Sequence, residues 1–360
     1  GHVLKISLGQ NSTIGLLNGS MSNSLSLGKF LNNKSADRIN LTAFGQGASL
    51  FYATDGARAI LDEDYTVTNG GAASTSLLVG TKGSLVEIKK DKKIETNTNV
   101  GLIATKGTGT GAASSTAKNA GVYTSTRDSA LAIYTDESTG ENTTDGTITM
   151  QNKQSVGMLG QNSSTLTNAG KIEVQKEKSA GIYGSKGSKV TNEKEIEIKE
   201  EKSAGIYLED SDAVNAENAK ITVHKGESAG IYGKFTSGSK ADNTIENSGE
   251  IILKSGTGKQ SAGIYGELES TAAKKLTISN KNKIEVDMEE SVGIYAKNGK
   301  SSKTDLIAEN EGTIDLKSKK SVGMLADKSV ANNKNEINIT NEEATGMYGT
   351  NGSEVTNTSD

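Results

Sequence analysis

A five-residue motif, Ser-Ala-Gly-Ile-Tyr, returns at near-constant intervals through the second half of the chain. Its register constrains the fold more than any other feature. It occupies residues 179–183, 203–207, 228–232 and 261–265, with close variants starting at Ser155, Ser291, Ser321 and Ala344. The central glycines fall at 157, 181, 205, 230, 263, 293, 323 and 346, in steps of 24, 24, 25, 33, 30, 30 and 23. A period near 24 with insertions marks a solenoid, in which each repeat buries its apolar face on the next.

One repeat, residues 179–202, resolves into three short strands. The motif is the first, Lys189-Val190-Thr191-Asn192 the second and Glu195-Ile196-Glu197-Ile198-Lys199 the third, with polar turns between. Three strands per coil predict an all-β, right-handed parallel β-helix. The third strand alternates at period 2, the sign of a half-buried strand. Its inward pairs are Ile172/Val174, Ile196/Ile198, Ile221/Val223, Ile251/Leu253, Ile284/Val286, Ile314/Leu316 and Ile337/Ile339. Its outward position reads Lys171, Glu195, Lys220, Glu250 and Lys283 in successive coils, then Thr313 and Glu336. Stacked coils lie ~4.8 Å apart, so alternating sign avoids repulsion between neighbours.

The second strand ends on a recurring asparagine: Asn168, Asn192, Asn218, Asn247, Asn280, Asn310, Asn333 and Asn357. Amides stacked at one corner can hydrogen-bond from coil to coil, while surface turns are the other usual home of asparagine. Two residues on stand Gly170, Gly249, Asn282, Gly312 or Asn335, residues that tolerate positive φ. In the first strand, Ala180 and Ile182 are expected inward, with Gly181 and Tyr183 on the other face. Leu replaces Tyr at 159 and 325, which favours a half-buried structural corner over a ligand stripe.

Regularity holds over residues 150–360. Residues 95–149 carry degenerate copies around Gly101, Gly121 and Leu131, and residues 1–94 read as irregular coils of the same helix. The whole is expected to be one β-helix fragment of roughly 12–14 coils, a rod of about 60–70 Å at ~4.8 Å per coil. The chain starts without Met and closes inside a repeat, which reads as a piece of a longer protein. Three consecutive coils lengthen at one corner, residues 233–243, 266–275 and 296–305, and such stacked insertions often form a solenoid's binding face.

Hydrophobic residues make up 33% of the 360, aromatics 4%, and there is no Cys, Pro or Trp. Low hydrophobicity alone would suit disorder, but a disordered chain needs no register. Absent cysteine excludes disulfides and thiolate metal sites, and suits export through an oxidising periplasm. The net charge of −4 gives no reason to expect nucleic acid, and no apolar run of 18 residues is present. Of two histidines, His2 is near the terminus and His224 falls on an outward ladder. No Ser/His/Asp set is legible. Acidic runs 62–64 and 209–212 lack the spacing of a calcium loop, and the 107–111 glycine run lacks the lysine of a phosphate loop. No catalytic residue, cofactor or metal is expected.

The repeat Thr167-Asn168-Ala169-Gly170-Lys171-Ile172-Glu173-Val174, followed by Lys178-Ser179-Ala180-Gly181-Ile182-Tyr183-Gly184, resembles the passenger of a large monomeric autotransporter. Its Lys/Glu-rich, Cys-free form is similar to fusobacterial outer-membrane adhesins. The resemblance covers 150–357 well and the rest loosely. It implies display at the bacterial surface, anchoring through a C-terminal barrel outside this chain, and attachment to a host-cell or bacterial-cell partner, protein or glycan. Two other readings stay open: a stalk that projects a distal domain, and a polysaccharide-processing β-helix enzyme.

The lengthened corners hold Lys234, Lys240, Lys274, Lys275, Lys297, Lys300 and Lys303 against Asp242, Glu267, Glu269 and Asp305. Seven minus four leaves +3 on a chain of net −4. Such a reversal can steer an anionic partner, such as a sialylated glycan or an acidic receptor patch. The same lysines can also serve only to keep a long protein soluble.

Overall fold

Short β-branched and aliphatic runs separated by polar corners wind into a parallel β-solenoid. About three strands make a coil of roughly 26 residues. The computed structural model describes residues 3–8, 11–19, 24–26, 38–44, 47–69, 74–254, 256 and 258–358. His2 lies outside them. The chain divides into two compact units, residues 1–175 and 176–360. Among the described residues the first unit holds 19 strands and the second 20, plus one 3-10 turn at Lys303–Asp305.

Each unit repeats one plan. The motif strands form sheet 1, the asparagine strands sheet 2 and the Ile/Val strands sheet 3. In every sheet a strand pairs in parallel with its equivalent one coil away. In the second unit sheet 1 runs through Ala180–Ser185, Ala204–Glu209, Ala229–Phe235, Ala262–Leu268, Val292–Asn298, Val322–Asp327 and Thr345–Thr350. The described residues of 1–94 follow the same plan, with strands such as Ala48–Thr54, Arg58–Leu61 and Tyr65–Asn69 in sheets 1, 2 and 3. In residues 95–149, Val100–Thr105 and Leu131–Asp136 are sheet-1 copies as expected. The run around Gly121 is not. Thr116–Asn119 belongs to sheet 2 and Val122–Ser125 to sheet 3.

The core is the set of aliphatic rows predicted for sheet 3. Ile172, Val174, Ile196, Ile198, Ile221, Val223, Ile251, Leu253, Ile284, Val286, Ile314 and Leu316 are all 0% exposed. Each contributes roughly 1.5–3 kcal/mol of burial. The last pair departs: Ile337 is half-buried and Ile339 is 48% exposed, because no later coil covers them among the described residues. The outward charges keep their register, with Glu195 opposite Lys220, Lys220 opposite Glu250 and Glu250 opposite Lys283.

The asparagine corner is an amide ladder inside the protein. Asn192 Nδ2 donates to Asn215 Oδ1 at 2.8 Å, Asn215 to Asn247 at 2.7 Å, Asn247 to Asn280 at 2.7 Å and Asn280 to Asn310 at 2.7 Å. The first unit has a ladder of the same kind, Asn119 donating to Asn142 and Asn142 to Asn168. One rung differs from expectation. Asn215, not Asn218, is the ladder residue, and Ala213 rather than Ala216 is buried beside it. That coil has a short first corner and a longer turn at 216–219. Asn218 takes a left-handed φ of 66° there instead.

The glycines two residues past the ladder are there for close approach, not for positive φ. A Cβ on Gly249 would sit 2.3 Å from the Ala219 carbonyl oxygen of the preceding coil, and its φ is ordinary.

Candidate functional site

Sheet 1 of the second unit puts two unlike rows on its outer face. Parallel in-register pairing aligns Tyr183, Tyr207, Tyr232, Tyr265 and Tyr295, with Leu325 next. Ring centroids are 4.9, 5.0, 5.1 and 4.7 Å apart, alternating between edge-on and stacked pairs. Each such pair contributes about 0.5–1.5 kcal/mol beyond its burial. The rings are half-buried, and that burial raises every phenol of the stripe above its ordinary pKa. Tyr183 donates to Glu209 at 2.8 Å and Tyr232 to Glu267 at 3.3 Å.

The second outer row is the small residue at the start of the strand. Ala229, Ala262 and Val292 form the floor of an open groove of about 460 Å3, with Tyr232, Tyr265 and Tyr295 along it. This corrects the expected facing of the strand. Ile182 points inward and Tyr183 outward as expected. The motif alanines are only 6–8% exposed, yet Ala229 and Ala262 border the outer groove, and the motif glycine is buried facing the core. A Cβ on Gly181 would meet Ile196 Cγ2 and the Gly205 carbonyl oxygen, each at 2.6 Å. The other edge of the groove is a row of left-handed residues, Glu227, Gln260 and Glu290, at φ 52°, 62° and 52°.

The same three coils carry the long loops. Strands Ala229–Phe235, Ala262–Leu268 and Val292–Asn298 each run one residue beyond the usual six, and lead into loops 236–242, 269–275 and 299–305. Asp210 holds the first loop. Its carboxylate accepts from the Thr236 amide at 2.6 Å, the Thr236 hydroxyl at 2.7 Å and the Ser239 hydroxyl at 2.7 Å. Asp212 and Asp242 accept the exit amides Thr244 and Lys275 at 2.9 and 3.0 Å. The 209–212 run supplies carboxylates that latch loops. No group of three acidic or histidine side chains suited to a metal ion occurs among the described residues.

The seven lysines divide. Lys234 pairs with Glu269 at 2.8 Å, Lys297 with Glu267 at 2.8 Å, Lys300 with Asp305 at 2.9 Å and Lys303 with Glu354 at 2.9 Å. The carboxylate partners raise the pKa of Lys234 and Lys297. Lys240, Lys274 and Lys275 have no ion pair among the described residues, and Lys240 and Lys275 are exposed. His224 lies on the outer face of sheet 3, 2.9 Å from Glu197, and burial lowers its pKa despite that neighbour.

Sequence reasoning missed a second ladder. The motif serines are buried, and each amide donates to the next coil's hydroxyl: Ser179 to Ser203 at 3.1 Å, Ser203 to Ser228 at 3.2 Å, Ser228 to Ser261 at 3.2 Å and Ser261 to Ser291 at 3.1 Å. The signal was the recurrence of serine at the first motif position, kept in seven of the eight copies.

Parallel sheets wound on one aliphatic core, with hydroxyl and amide ladders at the corners, define a β-helix of the pectate lyase-like class. The chain belongs to the BigA third pectate lyase-like domain family, whose model matches it twice, over residues 5–195 and over 181–360. That membership suggests a bacterial surface, autotransporter-like passenger of adhesin type. No curated protein and no solved structure matches the chain.

Proposed function

We propose that this chain is an adhesive passenger segment of a large monomeric autotransporter of fusobacterial outer-membrane type. It is displayed outside the cell, anchored to the outer membrane by the parent protein, and holds a host-cell or bacterial-cell partner through the loop ridge. The observation that carries this reading is that two of the three adjacent long loops carry lysines with no ion pair among the described residues, Lys240 on the first and the half-buried Lys274 and exposed Lys275 on the second. Exposed, uncompensated charge steers association and is screened by salt. The ion-paired Lys234, Lys297, Lys300 and Lys303 favour the stalk reading for their part of the ridge, since paired surface charge offers a partner little.

The test is attachment of the purified chain to epithelial and bacterial cells across a salt series, beside a Lys240→Gln, Lys274→Gln, Lys275→Gln variant. The expected result is attachment that weakens with salt, and a variant that attaches several-fold less and has lost most of the salt dependence. Salt-independent attachment, unchanged in the variant, would remove the ridge lysines from the contact.

A further inference from the structure

We propose that the tyrosine-lined groove on sheet 1 is a separate binding site for a neutral oligosaccharide. The groove lies in the three coils that carry the long loops, within the second unit. Its volume of about 460 Å3 is within the range of small-ligand sites. It combines an apolar floor and phenol wall with a polar edge of two carboxylates and an amide, Glu227, Glu290 and Gln260.

The pattern of rows identifies the class of ligand. Both rows recur once per coil: a ring of the stripe every 4.7–5.1 Å, and beside it one hydrogen-bonding side chain. A saccharide chain repeats an apolar C–H face and a polar hydroxyl edge once per sugar, at a comparable spacing. An extended peptide fits less well. It gains affinity on a sheet by adding to an open edge, whereas this groove lies on a sheet face whose main-chain groups pair with the neighbouring coils.

Charge decides between neutral and anionic glycans. No lysine or arginine lines the groove. The edge carboxylates are compensated from outside it, Glu227 by Lys202 at 3.8 Å and Glu290 by Lys259 at 2.9 Å. A sialylated or uronate chain would find carboxylates and no cation to meet it. Neutral hydroxyls would find acceptors on Glu227 and Glu290 and both a donor and an acceptor on Gln260.

This site deepens the adhesin reading and rests on it, but it does not use the ridge lysines. Binding of the intact chain to an array of neutral and sialylated oligosaccharides therefore separates the two. The expected result is binding to a subset of neutral glycans, unchanged in high salt and in the triple lysine variant. Tyr265→Ala should reduce that binding at least about tenfold, because it removes the apolar wall the ring supplies to the groove, and Tyr265→Phe should keep most of it. Gln260→Ala, at an exposed edge position, should weaken binding even if Tyr265→Ala perturbs the fold. Binding confined to sialylated glycans, no glycan binding at all, or neutral-glycan binding indifferent to both Tyr265→Ala and Gln260→Ala would each overturn the proposal. Cell attachment that fails while array binding persists would count against the ridge alone.

Discussion

Single residues matter here because each is multiplied along a ladder. Asn247 is 0% exposed, accepts from Asn215 and donates to both Asn280 and the Lys283 carbonyl. Removing its amide leaves buried groups without partners, which costs ~1–3 kcal/mol. Lys171 lies at the surface, 3.7 Å from Glu173, and such a charge is usually worth under ~1 kcal/mol. Asn247→Ala is therefore expected to lower the urea midpoint clearly more than Lys171→Ala, and equal shifts would contradict the buried ladder. Gly230 sets a harder limit. A Cβ there would come within 2.5 Å of Ile251 Cγ2 and 2.6 Å of the Gly263 carbonyl oxygen. Overpacking against backbone costs about 1–3 kcal/mol, so Gly230→Ala should destabilise while Ala229→Gly, one residue away on the outer face, should do much less. A urea titration of the two variants decides it.

At the level of strands and loops, the asparagine and aliphatic ladders were legible in the sequence wherever the turn between the second and third strands keeps its length, whatever the length of the first corner. The sheet-3 rows show why: a period-2 strand of Ile and Val between charges has one facing that buries it. Facing in sheet 1 was harder, because Ala, Gly and Ile are all compatible with the interior. What placed the glycine inside was the carbonyl of the adjacent coil, and a single coil's sequence does not show that. The Asn218 misplacement has a similar cause: the first corner lost one residue and the next turn gained two, while the coil length stayed near its period. The groove was not legible at all, since it depends on which side the alanines face. The Asp210 latch belongs to this scale too. Asp210→Ala removes three acceptor contacts to Thr236 and Ser239. Hydrogen exchange at Thr236 and through loop 236–242 is expected to accelerate, with sheet-3 amides protected as before. Unchanged exchange in the loop would show that the loop holds itself.

The tyrosine stripe gives a pH prediction with a definite sign. Burial, with nearby carboxylates, holds the five phenols above their ordinary value of 10.0. Their folded pKa is thus higher than their unfolded one. The stability linked to this is fully present below pH 10 and is lost as pH rises further. Tyrosinate absorbance should appear late in an alkaline titration and coincide with loss of the β signal in circular dichroism. Ionisation of these tyrosines at their ordinary pH with the fold intact would contradict their burial.

For the molecule as a whole, a hydrophobic fraction of 33% is enough because solenoid stacking places nearly every aliphatic side chain of a regular coil in one shared interior. Among the described residues, the large apolar side chains left outside are those of the stripe and groove, Leu16, and Ile339, Tyr348 and Val355 in the last coils, so departures from the regular coil stand out as candidates for function. They concentrate between residues 227 and 305, where loops 236–242, 269–275 and 299–305, the free lysines and the groove share three coils. Those coils, not the solenoid in general, are the adhesive part of the protein on this account. The most direct measurement is attachment of the purified chain to epithelial and bacterial cells before and after all three loops are replaced by the short turn of residues 186–188. The account predicts a variant with an unchanged far-UV circular dichroism spectrum that has lost most of its attachment. A folded variant that attaches as well as the parent chain would contradict it and leave the segment as a stalk.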